Sequence, residues 1–119
     1  MIKKPKPVLV ESCEEKNHQI KERPLITFAL FAYNQEQFIE EAVQGAFSQT
    51  YSPLEIILSD DGSSDQTFAI ISRMANEYCG PHKIILNRNE QNQGLIPHLN
   101  KVVMELSHGE IIVAAAGDD

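Results

Sequence analysis

From residue 25 onward, short apolar runs alternate with polar breaks and with segments whose apolar residues recur at helical spacing. The run Leu25-Ile26-Thr27-Phe28-Ala29-Leu30-Phe31 reads as a strand buried on both faces, closing at Ala32-Tyr33-Asn34. Phe38, Ile39, Ala42, Val43, Ala46 and Phe47 then fall on one stripe and predict a helix from about Gln35 to Ser48. Asn34 and Gln37 have the spacing of a reciprocal N-terminal cap, and Phe31, Phe38 and Phe47 are assigned to the core. Pro53 leads into a second strand around Ile56-Ile57-Leu58, which stops at Ser59-Asp60-Asp61-Gly62-Ser63-Ser64-Asp65. A second helix carries Phe68, Ile71, Ala75 and Tyr78 on one stripe, with Ile70 and Met74 beside it, and ends at Gly80-Pro81. Lys83-Ile84-Ile85-Leu86 is the third strand. A third helix points Leu95, Leu99, Val102, Val103 and Leu106 inward, with Pro97 in its first turn. Glu110 to Ala116 forms the fourth strand, ahead of Gly117-Asp118-Asp119.

Strands alternating with helices predict an α/β fold with right-handed crossovers and a parallel sheet. If the fourth strand returns to the free side of the first, the order is 3-2-1-4, with helices on both faces. Residues 1–24 are rich in Lys, Glu and Pro, with a single weak apolar cluster at Val8-Leu9-Val10. They are expected to be a flexible leader or linker, so the domain proper is expected over residues 25–119.

Composition narrows the partners. A formal charge of -7 and a pI near 5.0 leave no basic stripe to neutralise phosphates, which argues against nucleic acid. No apolar run approaches the roughly 20 residues of a membrane-spanning helix, and no secretory signal pattern follows Met1. Cys13 and Cys79 are far apart and lack metal-ligand spacing, so a disulfide framework is not expected and a cytoplasmic setting fits best. His18, His82, His98 and His108 are scattered, and structural or surface roles are expected for each.

The chemistry concentrates where strands end. Ligands of open parallel sheets bind just outside the carboxyl ends of the strands. In the 3-2-1-4 order, Tyr33-Asn34, Asp60-Asp61 and Asp118-Asp119 all project from that edge. Asp60 and Asp61 could be turn residues, and Asp65 a helix cap. Two acid pairs facing one crevice repel, however, unless a cation or a hydrogen-bonding ligand lies between them. Hard divalent ions bind through one or two carboxylates plus substrate phosphates, so the pattern calls for Mg²⁺ or Mn²⁺ and a phosphorylated ligand. Neither a dinucleotide-type glycine fingerprint nor a P-loop is present. Arg88 leaves the third strand near this edge, where a solvated loop role is weighed against contact with a phosphate.

Ile26 to Asn34, Ser48-Gln49-Thr50-Tyr51, Glu55 to Asp65, Asn92-Gln93-Gly94, Asn100, and Gly109 to Asp119 together resemble the family 2 glycosyltransferases of the GT-A fold. The resemblance covers about residues 25–119. It implies a Rossmann-like GT-A sandwich and inverting transfer of a sugar from a nucleotide-diphosphate sugar to a hydroxyl of a glycan, lipid or other acceptor. UDP-sugars are the commonest donor class. It further implies that Asp61 reads the nucleotide base with Tyr33 against the base and Asp60 nearby. Ala32, Asn34 and Gly94 complete the expected nucleotide-binding residues. Asp118 and Asp119 are expected to belong to the Asp-x-Asp metal motif, and the catalytic base is expected beyond residue 119. The chain would then hold the donor half of a cytoplasmic enzyme, or of one working at the cytoplasmic face of a membrane. Three rivals are a non-catalytic nucleotide-binding module, a phospho-accepting receiver domain and a polymerase-type Gly-Asp-Asp hairpin. A receiver should carry its acid pair after the first strand, where this chain has Tyr33-Asn34. The hairpin is disfavoured by the β-α-β-α run before Gly117.

Overall fold

The computed structural model describes residues 2–3 and 23–117. Its elements are β1 (Ile2–Lys3), β2 (Ile26–Ala32), α1 (Ile39–Phe47), β3 (Leu54–Asp60), α2 (Thr67–Glu77), β4 (Lys83–Arg88), α3 (Leu95–Lys101) and β5 (Ile111–Ala116). A π-helical segment, Val102–Leu106, continues α3. The strands form one sheet of order β1-β5-β2-β3-β4. Its four long strands are parallel, and in the numbering of the predicted strands their order is 3-2-1-4, as expected. β1 adds an antiparallel edge, Ile2 opposite Ile112 and Lys3 opposite Ile111, which the sequence pattern did not suggest. Residues 4–22 of the expected leader lie outside the described residues.

The apolar runs become strands because both faces of the sheet are covered. All seven residues of β3 are buried. On one face Leu30, Ile56 and Leu58 pack with Ile39, Val43 and Ala46 of α1 and Ile71 and Met74 of α2. On the other, Ala29, Phe31, Ile57 and Ile112 meet Val102, with Leu99, Val103 and Leu106 alongside. Complete burial of a side chain such as Ile56 or Leu58 contributes about 1.5–3 kcal/mol.

Three local expectations fail for physical reasons. The Asn34–Gln37 cap does not form: Asn34 has φ of 51°, and its side-chain oxygen accepts the Ser64 N–H at 2.8 Å. The first turn instead hangs on the Gln35 carbonyl, which accepts the N–H groups of Phe38 and Ile39, and α1 starts only at Ile39. Phe38, placed just before the helix, is 55% exposed and not core. Leu95 is likewise 67% exposed, because the first turn of α3 rises at the strand-end edge, and His98 takes the inward position one turn later.

At the amino-terminal edge of the sheet, the buried Glu55 carboxyl gathers three partners. Thr27 Oγ1 and the His108 N–H donate to Oε2, each at 2.7 Å, and His108 Nδ1 lies 2.7 Å from Oε1. Thr27 Oγ1 in turn accepts the Gly109 N–H at 2.9 Å. This clasp fixes the turn that delivers the chain from the π segment into β5.

Candidate functional site

Register aligns the strand ends. Ala32 lies opposite Asp60 and Asp60 opposite Arg88, while the Gly117 N–H donates to Phe31 O at 2.8 Å. The segments after all four parallel strands therefore leave from one edge, which brings together Ala32, Tyr33, Asn34, Asp60, Asp61 and Gly94. Asp118 and Asp119 lie outside the described residues.

The two aspartates are not equivalent. Asp60, with 0% exposure, turns its carboxyl back into its own loop, accepting the Ser63 N–H at 2.9 Å and the Ser63 hydroxyl. Arg88 Nε stands 3.9 Å from the same group, and the guanidinium stacks over the Phe68 ring at 4.7 Å. Arg88 thus closes one side of the loop through protein contacts. Asp61 reaches across to the segment following β4. Its Oδ1 accepts Asn89 Nδ2 and the Gln93 N–H, both at 2.9 Å, and its Oδ2 accepts the Gly94 N–H at 3.0 Å. Its own N–H donates to Ala32 O at 2.9 Å, and its carbonyl accepts Asn92 Nδ2 at 3.3 Å.

Burial alone would raise the Asp61 pKa. The hydrogen bonds from Asn89, Gln93 and Gly94 outweigh it, with help from His98, and hold the carboxyl below its ordinary value. At neutral pH it is a fixed anion. Oδ2 keeps acceptor capacity beyond its single bond to Gly94.

Glycine makes this approach possible. Gly62 has φ of +75°, and a Cβ there would stand 2.7 Å from the backbone of Gln91 and Asn92. A side chain at this position would push the 89–94 segment off Asp61. Gly94, at φ of +91°, turns the chain so that its N–H meets Asp61 while its carbonyl accepts the His98 N–H at 3.2 Å.

The neighbouring loop is stitched on by side chains. The Asn34 N–H donates to Ser63 Oγ at 2.8 Å, and the Gln35 N–H to Thr67 Oγ1 at 2.7 Å. The Asp65 carboxyl accepts the Thr67 N–H and hydroxyl at the start of α2, the helix-start role weighed for it from sequence, and also the Glu36 N–H. Burial raises its pKa, but these bonds prevail and keep it below the ordinary value. Tyr33, next to Ala32, is 45% exposed at the edge.

Sequence reasoning missed the support beneath Asp61. Asn89 is 2% exposed, and its Oδ1 accepts Lys101 Nζ at 2.9 Å. Asn87 Nδ2 donates to Ser59 Oγ at 2.9 Å, and that hydroxyl lies 2.6 Å from His98 Nε2. His98 is buried edge-on against Phe31, with ring centroids 4.9 Å apart. Burial keeps it below its ordinary pKa despite the pull of Asp61 and Asp60 in the other direction, so it is neutral at pH 7, and its Nε2 shares a hydrogen bond with the Ser59 hydroxyl. The available signal was the alternation Asn87, Asn89 at the end of an otherwise apolar strand, which places two amides on one face.

Among the described residues, no group of three or more His, Cys, Asp or Glu forms a cation site, and no helix is long and apolar enough to cross a membrane.

Comparison with known proteins agrees with this arrangement. The sequence profile of Glycosyl transferase family 2 matches residues 27–119. The chain is 35% identical over 98 residues to a putative glycosyltransferase, EpsE, of Bacillus subtilis, a match spanning 81% of this chain and 34% of that protein. It is 32% identical over 95 residues to the Escherichia coli UDP-Glc:alpha-D-GlcNAc-diphosphoundecaprenol beta-1,3-glucosyltransferase WfaP, covering 80% of this chain and 36% of the relative. Among solved structures, the mannosyltransferase PcManGT from Pyrobaculum calidifontis, in complex with GDP-Man and Mn²⁺, superposes with a TM-score of 0.73 at 27% identity. That likeness covers 82% of this chain and 28% of the mannosyltransferase. S. aureus TarS in complex with UDP-GlcNAc shares the fold, with a TM-score of 0.65 at 23% identity over 78% of this chain and 26% of TarS. The chain thus spans about a third or less of these proteins. By its strand order, its strand-end loops and the match to the family profile, the chain belongs to glycosyl transferase family 2.

Proposed function

We propose that this chain is the donor-binding part of an inverting glycosyltransferase that passes a sugar from a nucleotide-diphosphate sugar to an acceptor hydroxyl. The observation that carries the reading is the buried, anionic Asp61, fixed by Asn89, Gln93 and Gly94 at the strand-end edge with acceptor capacity left on Oδ2. A carboxylate fixed in advance can accept a base N–H without reorganising. The exposed Tyr33 offers the base a ring to stack on. Ala32, Asn34 and Asp60 hold the loops that frame this place, and Gly94 lets the chain approach closely. PcManGT was solved with GDP-Man, and TarS with UDP-GlcNAc. These ligands support the sugar-nucleotide class and leave base and sugar open.

Among the described residues no group of three or more His, Cys, Asp or Glu could hold a divalent metal. The Asp60 carboxyl is bound by Ser63 and the Asp61 carboxyl by Asn89, Gln93 and Gly94, and the metal ligands in this reading are Asp118 and Asp119. When bound, Mn²⁺ or Mg²⁺ would offset the charge of the leaving diphosphate. The base that deprotonates the acceptor is assigned to none of the 119 residues. The acceptor is a hydroxyl of a glycan, lipid or similar molecule, and the setting is the cytoplasm or the cytoplasmic face of a membrane.

Calorimetry of UDP and GDP with and without Mn²⁺ tests the reading. Nucleotide affinity should rise with Mn²⁺, and Mn²⁺ affinity should rise by the same factor with nucleotide. Asp118→Asn with Asp119→Asn should abolish that coupling. Coupling that survives the double change would remove the metal role of these two residues.

A further inference from the structure

Asn89 lies between two groups that each hydrogen-bond in one direction only. An ammonium group has donors and no acceptor, while an ionised carboxylate has acceptors and no donor. With Lys101 Nζ 2.9 Å from Oδ1 and Asp61 Oδ1 2.9 Å from Nδ2, the orientation of the Asn89 amide is fixed by chemistry. We propose that Lys101 is a positioning residue for Asp61: by binding the Asn89 carbonyl it holds the amide –NH₂ on the carboxylate that we read as contacting the nucleotide. The inference rests on that reading for its functional meaning, but not for its geometry.

Three features make the tether effective. The Asn89 N–H is bound to Asp60 O at 2.8 Å, so the backbone is anchored and only the side chain can turn. Asn89 is almost fully buried, and the other donor near its Oδ1, Asn87 Nδ2, is distant at 3.5 Å. Removing Lys101 therefore leaves a buried carbonyl short of a donor, and such a group rotates or draws in water rather than stay unpaired. Third, a cationic donor polarises the amide and strengthens the bond at its other end. α3 thus reaches Asp61 twice, through the Gly94 N–H at its start and through Lys101 at its end. Neither contact could be read from spacing, because Lys101 acts through a residue twelve positions earlier.

The test uses the 119-residue chain carrying Lys101→Met, which keeps the stem and removes the donors, and Lys101→Arg, which restores a cationic donor. Carbon-detected NMR titration of the Asp61 carboxyl and the Asn89 side-chain amide signals read the tether without nucleotide. Lys101→Met should move the Asp61 titration upward and shift the Asn89 amide, whereas Lys101→Arg should stay close to wild type. Asn89→Ala should produce the same Asp61 shift from the other end, with Lys101→Met adding nothing on top of it. Affinity for UDP or GDP with Mn²⁺ should fall roughly 3- to 10-fold in Lys101→Met, the loss of about one hydrogen bond. If the Asp61 titration and the Asn89 amide are unchanged in Lys101→Met, or if Asn89→Ala leaves Asp61 unmoved, the proposal is wrong. If both move while UDP and GDP affinities hold, the tether stands and the nucleotide role of Asp61 falls.

Discussion

Asp60 and Asp61 are neighbours in sequence with opposite tasks. One carboxyl is used within its own loop, and the other ties together segments 28 to 33 residues away in the chain. His98 adds a pH signature. Its folded-state pKa is below the ordinary 6.5, so the folded state resists the proton that the unfolded chain accepts. Stability from this group is therefore full above pH 6.5 and is lost as pH falls through the folded value. Asp61 and Asp65, both below the ordinary 3.8, add a further loss at lower pH by the same sign. Melting temperature should drop as pH falls below about 6.5, and His98→Gln, which keeps a polar partner for Ser59 but cannot titrate, should flatten that part of the curve. Parallel curves for wild type and variant would contradict the buried neutral histidine. The acids drew notice in sequence because they stand at a strand end, although a turn role was equally open to them and is the one Asp60 has. Asn89, Lys101 and His98 were not legible, because their partners come from other loops and helices.

At the scale of elements, strands were easier to read than helix starts. Continuous apolar runs buried on both faces leave little freedom, and β2 to β5 fall within a few residues of their expected bounds. The start of α1 was misread because Asn34 could serve either its own helix or the next loop, and a contact to Ser64 thirty residues away decided the matter. The π segment was invisible for a related reason. It rests on the Ser107 N–H reaching Val102 O at 2.9 Å, which follows from where the Glu55 clasp places His108 and Gly109. That clasp makes a stability prediction. Thr27→Val keeps the shape but removes the donor to Glu55 and the acceptor for the Gly109 N–H, leaving buried polar groups short of partners. Urea unfolding should show a loss of about 1–3 kcal/mol. A loss within error would mean that water replaces the threonine hydroxyl and that the clasp is not structural.

For the whole molecule, topology does the organising. Parallel pairing in register places four strand ends in a row, and order 3-2-1-4 collects Tyr33, Asp61 and Gly94 at one edge although they span more than half the domain sequence. The alternation of elements gave a parallel sheet, and its order followed on the supposition that the fourth strand returns beside the first; the extra edge strand Ile2–Lys3 was not legible, being too short to show a pattern. Membership of glycosyl transferase family 2 follows from the profile and the fold, while the donor-binding role we propose rests on how Asp61 is held. The most direct test is calorimetric titration of UDP and GDP into wild type and Asp61→Ala in the presence of Mn²⁺, with urea unfolding to verify that both are folded. Loss of a hydrogen bond to a charged acceptor should weaken the better-bound nucleotide by about 1.5–3 kcal/mol, roughly 10- to 150-fold. Equal affinity in a folded Asp61→Ala chain would contradict the account.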